Sequence, residues 1–122
     1  MDNRALAVEF LSTCARGEVR QAYARHVSDD FIHHNAWFAG DRESLLLAME
    51  QSAAAEPNKS FEVKQAIAEG DRVAVLSQLT RADGNTGYAV VHIVRIREGQ
   101  VVELWDLAQE IPADSPNVNG MF

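Results

Sequence analysis

The spacing of apolar residues changes along the chain, from helical in the first half to alternating in the second. In the first half apolar positions recur every three or four residues, which is typical of amphipathic helices that cover a core. Between the second and third helices, Phe31 to Gly40 is rich in aromatic residues and histidine. This stretch predicts a short strand followed by a turn that lines a pocket. The predicted helices run from Asp2 to Ala15, from Glu18 to about His26, and from Asp41 to about Ala55.

From residue 61 onward apolar and polar residues alternate, which is typical of half-buried strands. Helices followed by an antiparallel meander predict an α+β fold with helices packed on one face of a curved sheet. No linker or internal repeat interrupts the 122 residues, so we predict one domain spanning residues 1–122. The four alternating strands are predicted at Phe61 to Ala68, Val73 to Arg81, Tyr88 to Arg97, and Val101 to Gln109.

Each of the last two strands carries one polar residue on its otherwise apolar face. These residues are His92 and Asp106. A carboxylate that faces a core must be hydrogen-bonded, paired or poised for proton transfer, because leaving it bare costs several kcal/mol. A three-residue hairpin loop with Gly99 in the left-handed conformation would place both residues on the same face, whereas a two-residue loop would separate them. The apolar pattern favours the three-residue loop.

The net charge and the cysteine content limit the kinds of binding partner and the cellular location that can be expected. A net charge of −7 argues against nucleic acid or an anionic membrane as partner, since both need a basic surface. The single cysteine, Cys14, cannot form an internal disulfide. The N-terminus opens an amphipathic segment rather than a signal peptide, and no apolar run is long enough to span a membrane. We therefore expect a soluble cytoplasmic protein.

Four motifs follow one another along the chain: Phe31-Ile32-His33-His34-Asn35, Glu69-Gly70-Asp71, Glu103-Leu104-Trp105-Asp106, and the tail from Ser115 to Phe122. In this order and spacing they resemble the SnoaL-like polyketide cyclase branch of the NTF2-like superfamily. The resemblance implies a cone-shaped α+β fold whose curved sheet and helices enclose a pocket, commonly as a dimer. It also implies cyclase, isomerase or hydrolase chemistry on a small organic molecule, although the superfamily includes proteins that catalyse nothing.

The candidate chemistry is acid/base catalysis on a small, largely apolar carbonyl compound. Asp106 is the predicted base, and His92 or His34 is the predicted donor to the developing oxyanion. The resemblance places His34 in the pocket, with Asn35 as its hydrogen-bonding partner, so by alternation His33 should point away. Leu104 stands where the relatives carry a histidine, and an acidic residue is usual at the position of His92. The predicted substrate-binding residues are Asn35, Trp37, Phe38, Tyr88 and Leu104.

No cofactor and no metal are expected. His33 and His34 are strand neighbours whose side chains point to opposite faces, so they cannot easily share one ion. The alternative hypothesis is a binding or assembly module that uses the same pocket without turnover. In either case a homodimer is expected through the outer sheet face, where Glu103, Val91 and Ile93 would surround Trp105. An enclosed cavity with Asp106 and a histidine within hydrogen-bond reach would favour the enzyme, whereas a cavity filled by Phe122, Trp37 and Leu104 would favour the module.

Overall fold

Three helices and five strands make up the fold, and the computed structural model describes residues 1–122. The predicted α+β class is confirmed. None of the helices combines the length and the hydropathy needed to cross a membrane. The helices are α1 (Asn3–Ala15), α2 (Val19–His26) and α3 (Arg42–Ala55), and the strands are β1 (Val27–His34), β2 (Ser60–Glu69), β3 (Arg72–Thr80), β4 (Gly87–Arg97) and β5 (Gln100–Glu110).

Side-chain caps fix where two of the helices begin. The carboxylate of Asp2 accepts a hydrogen bond from the Ala5 amide at 2.8 Å, and that of Asp41 accepts one from the Ser44 amide at 3.0 Å. Each cap satisfies an amide that the first turn would otherwise leave without a partner. Helix α1 ends at Ala15, and Gly17, just beyond the C-cap residue Arg16, has a φ of +89° that suits a residue without Cβ. The apolar side of each helix faces the sheet, as the spacing of the apolar residues predicted.

The strands form one sheet in the order β1-β5-β4-β3-β2. Strand β1 runs parallel to β5, and the other neighbours are antiparallel. The first strand starts directly after α2, four residues earlier than predicted, because Val27 already pairs with Val101. The helices pack on one face of the curved sheet, which we call the inner face; the opposite face is the outer face.

A core of apolar side chains fills the space between the helices and the inner face. Tyr23 of α2 is its centre, with its ring 5.8 Å from that of Phe10 and 6.0 Å from that of Phe31. From the sheet, fully buried Val94 and Leu104 pair across β4 and β5. This core covers parts of β1, β3, β4 and β5, and it decides which residues of those strands can reach a ligand.

The hairpin between β4 and β5 has a two-residue loop, so the predicted three-residue loop is wrong. Glu98 and Gly99 form the loop, with φ values of 52° and 75°. Two consecutive residues at positive φ match the twist of a tight hairpin. The loop therefore sets a register that would place His92 and Asp106 on opposite faces.

A β-bulge restores the predicted arrangement of the pair. Ile96 pairs with Val101 but its neighbour Arg95 pairs with Glu103, which leaves Val102 as an extra residue on β5. Val102 is buried beside Val101 instead of alternating with it. Beyond the bulge, His92 lies directly opposite Asp106 on the inner face. The prediction that these two residues share a face is confirmed, although by a different structural element.

Candidate functional site

His92, Asp106 and Asn35 form a linear polar array on the inner face. The Nε2 atom of His92 lies 3.5 Å from Oδ1 of Asp106, at the long limit of a hydrogen bond. The other oxygen of Asp106, Oδ2, accepts a hydrogen bond of 3.1 Å from Nδ2 of Asn35. The amide oxygen of Asn35 accepts in turn from the backbone amide of Trp37 at 2.8 Å. The loop after β1 therefore fixes the carboxylate, and the carboxylate faces the imidazole.

Burial determines the protonation state of His92. Its side chain is only 9% exposed, and removal from water lowers the pKa of His92 because it disfavours the charged imidazolium. The Asp106 carboxylate opposes part of this decrease. At neutral pH the ring is neutral, and its one proton is best placed on Nε2, since a carboxylate can only accept. The Nδ1 atom, which is buried and has no hydrogen-bond partner, is then free to accept a proton.

A cavity of about 200 Å³ opens beside His92. It lies between the C-terminal ends of α1 and α3 and the strands β2 and β3. Cys14, Met49, Phe61 and Leu79 contribute to its apolar wall, and His92 contributes an ionisable group. Burial raises the pKa of Cys14 to about 12, so its thiol stays protonated and acts as a small apolar group. His92 is thus the proton acceptor best placed to meet a ligand in this cavity.

Most of the predicted pocket residues do not line this cavity. Asp106 and Asn35 lie behind His92, and Leu104 is fully buried in the core. Trp37 is 84% exposed and Phe38 is 44% exposed, so the loop that carries them lies on the surface. Tyr88 is half-buried on β4 and is also absent from the lining. The physical reason is that core side chains fill most of the space over the inner face, which leaves room only beside Phe61, Leu79 and His92.

The two neighbouring histidines of β1 have the opposite orientations to those predicted. His33 is 4% exposed, its ring stacks 6.1 Å from that of Phe31, and neither ring nitrogen has a partner. His34 lies on the outer face, half exposed. The reason is strand alternation, because Phe31 enters the core and every second residue follows it. Strand alternation from Phe31 predicts this arrangement, whereas the resemblance to the family predicted the reverse.

His34 belongs to a charged cluster on the outer face. Its Nε2 lies 2.7 Å from Oε2 of Glu103, and its ring stacks on Trp105 at 4.9 Å. Arg95 donates to the other oxygen of Glu103 at 2.9 Å. The hydrogen bond from His34, and then that from Arg95, hold the pKa of Glu103 below its usual value. The structure therefore separates His34 from His92 and Asp106.

No group of three or more His, Cys, Asp or Glu side chains is arranged to hold a metal ion. His92 and Asp106 face each other on the inner face, and Asn35 supports the carboxylate. All three residues are predicted from the sequence, but Asn35 contacts Asp106 and not His34, its predicted partner.

Several solved structures share this fold. AclR from Streptomyces galilaeus, a proposed hydroxylase, superposes with a TM-score of 0.75 and 26% identity over 88% of this chain and 78% of its own. Wild-type IdmH from Streptomyces antibioticus, a proposed polyketide cyclase, gives a TM-score of 0.73 and 18% identity over 89% and 93% of the two chains. An NTF2-like protein of unknown function from Cytophaga hutchinsonii superposes with a TM-score of 0.71 and 16% identity over 89% of this chain and 91% of its own.

These likenesses confirm the NTF2-like fold that the sequence motifs predicted. No curated protein sequence is significantly similar to this chain. The SnoaL-like domain family matches residues 7–104. The chain therefore belongs to the SnoaL-like family.

Proposed function

We propose that the protein is an enzyme that needs no cofactor and transfers a proton next to the carbonyl group of a small, largely apolar compound. The observation that carries this proposal is the placement of His92, a neutral imidazole whose Nε2 faces a carboxylate, whose Nδ1 is buried without a hydrogen-bond partner, and whose side chain forms part of the wall of a cavity. Membership of the SnoaL-like family and structural similarity to IdmH, a proposed polyketide cyclase, support the reaction type. Intramolecular aldol cyclisation and isomerisation both begin with such a step.

In the proposed mechanism His92 is the base, in place of Asp106. Nδ1 takes a proton from the carbon beside the carbonyl, and the electron pair of that C–H bond moves onto the carbonyl oxygen as an enolate. The imidazolium then returns its proton to another carbon in an isomerisation, or to the new alkoxide oxygen after an aldol step. Asp106 stabilises the transient imidazolium, and Asn35 positions the carboxylate. The 3.5 Å separation of His92 and Asp106 is expected to shorten once His92 is charged.

The test measures exchange of carbon-bound protons in small enolisable ketones dissolved in D₂O, followed by NMR. This readout requires no knowledge of the product. We expect catalysed exchange for at least one ketone, a loss of roughly 100-fold or more in His92→Gln, and parental activity in His34→Gln. The second variant removes a histidine that faces away from the cavity. Equal exchange in the parent and in His92→Gln would remove His92 from the mechanism.

A non-catalytic binding module that uses the same cavity is the alternative function. Phe122, Trp37 and Leu104 do not line the cavity, so they do not fill it as the module would require. Of the two groups expected beside the cavity of an enzyme, His92 lines it and Asp106 lies behind His92, and the presence of His92 supports the enzyme.

We also propose that the protein forms a homodimer through the outer face. One row of residues crosses four strands there, with Ile67 opposite Ala74, Ala74 opposite Ile93, and Ile93 opposite Trp105. Ile67 is 63% exposed, and Leu107, one row away, is 65% exposed. A patch of this kind, rimmed by charges, is typical of an interaction surface. A cytoplasmic location and the lack of nucleic-acid partners stay predictions.

A further inference from the structure

Two cationic side chains border the opening of the cavity. Arg16, at the C-terminal end of α1, and Lys59, directly before β2, line the cavity and also a shallow depression continuous with it. The Arg16 side chain is 60% exposed, which marks this end as the one open to solvent. His92, on β4, lines the same cavity as the two cations. One part of a ligand can therefore contact the imidazole while another part contacts the cations.

The carboxylates near the opening leave these cations only partly compensated. Glu56 also lines the cavity, but both of its oxygens accept from the Arg81 guanidinium and one also accepts from the Ala82 amide. Glu18 pairs with Arg16 at 3.4 Å, with both side chains about half exposed, so the pair is weak. Lys59 donates to the Ser52 hydroxyl and forms no salt bridge. Side-chain carboxylates therefore do not fully neutralise the two cations at the opening, although the net charge of the chain is −7.

We propose that the natural ligand carries one negative charge, as a carboxylate, which binds between Arg16 and Lys59 while its apolar part fills the cavity. The placement of its carbonyl against His92 rests on the proposed function; the anion site does not. The cavity volume of about 200 Å³ equals about seven water molecules of liquid and falls below the range for drug-sized ligands. The substrate class is a short keto acid.

The neighbouring helix ends favour a monoanion over a phosphate. The cavity mouth is built from the C-terminal ends of α1 and α3, where the helix dipoles place partial negative charge. A dianion would be repelled there and would find no cluster of free backbone amides such as a helix N-terminus offers. A carboxylate needs only the two side-chain cations.

The test compares two probes of the same shape, 3-phenylpropanoate and its uncharged amide, 3-phenylpropanamide, by isothermal titration calorimetry at low salt. We expect the parent to bind the carboxylate roughly three- to tenfold more tightly than the amide. In the double variant Arg16→Gln with Lys59→Gln this preference should vanish while affinity for the amide is kept. Arg25→Gln removes an exposed cation of α2 outside the cavity and should retain the preference.

Three results would overturn the proposal. They are equal affinity of the parent for both probes, a preference that survives in the double variant, and failure of 3-phenylpropanoate to bind the parent. Neither probe is a ketone, so binding does not depend on turnover. A protein that passes this test and fails the proton-exchange assay would have the anion site without the proposed reaction, and the two proposals can therefore fail separately.

Discussion

Replacing Asp106 with asparagine tests whether the carboxylate stabilises a charge that forms on His92 during the reaction. The substitution keeps the shape of the side chain and an oxygen that can accept from Asn35, but it removes the negative charge. In the resting enzyme His92 is neutral, so little is lost. When the imidazole takes up a proton, the parent gains an attraction that the variant lacks. We therefore expect slower proton transfer.

The size of the effect follows from the separation of the pair. Two unit charges 3.5 Å apart attract each other by about 5 kcal/mol at an effective dielectric constant of roughly 20. The Asp106 side chain is 23% exposed, and solvent screening reduces this value. Taking about half, or roughly 2 to 3 kcal/mol, gives a rate roughly 30- to 150-fold lower in Asp106→Asn.

The assay is the same exchange of ketone protons in D₂O, performed on the parent, on Asp106→Asn and on Asp114→Asn. Asp114 is exposed in the C-terminal tail, so its substitution changes the net charge equally without touching the pair. Urea denaturation of each protein checks that folding is intact. Exchange in Asp106→Asn within about threefold of the parent, in a folded protein, would refute the electrostatic role of Asp106.

Three further predictions concern stability and assembly. Burial holds the pKa of His92 in the folded state below its usual value, so as pH falls below about 6.5 the unfolded chain takes up this proton first. Urea denaturation should therefore show the parent losing more unfolding free energy between pH 7.5 and pH 5.0 than His92→Gln; equal losses would contradict the assigned burial effect. Glu98→Asn should raise the unfolding free energy by roughly 0.5 kcal/mol, since asparagine suits the φ of 52° better than glutamate, and thermal denaturation showing a lower melting temperature would contradict this. Trp105→Ala should lower the mass measured by light scattering from that of a dimer to that of a monomer, and an unchanged mass would exclude Trp105 as the anchor of the interface.

The sequence predicted the elements of the fold well because their signals are local. Helical spacing and the capping residues Asp2 and Asp41 are visible within a single turn of helix, and alternation is visible within a single strand. The sheet partner of β1 was not visible, because parallel pairing between β1 and β5 joins segments about 70 residues apart. Nothing in the local pattern distinguishes such pairing from an isolated strand.

The candidate site was only partly predictable for a related reason. His92 and Asp106 were found because each breaks an apolar face, a signal confined to its own strand. The position of the cavity was not predictable from a single strand, because it depends on how Tyr23, Phe31 and Leu104 together fill the volume over β1 and β5. His34 was misplaced because a family position was preferred to the alternation set by Phe31.

The extra residue at Val102 has a consequence for how site residues are transferred between relatives. Before Val102, the tight loop decides which residues of β5 point to the inner face. After Val102, the alternation is shifted by one residue, so each side chain points to the face opposite to the one that the loop alone would give it. In a relative that lacks this extra residue, or that has a longer loop instead, the side chain at the aligned position would point to the other side of the sheet. Column-by-column transfer of catalytic residues across this hairpin is therefore unsafe unless the irregularity itself has been located first.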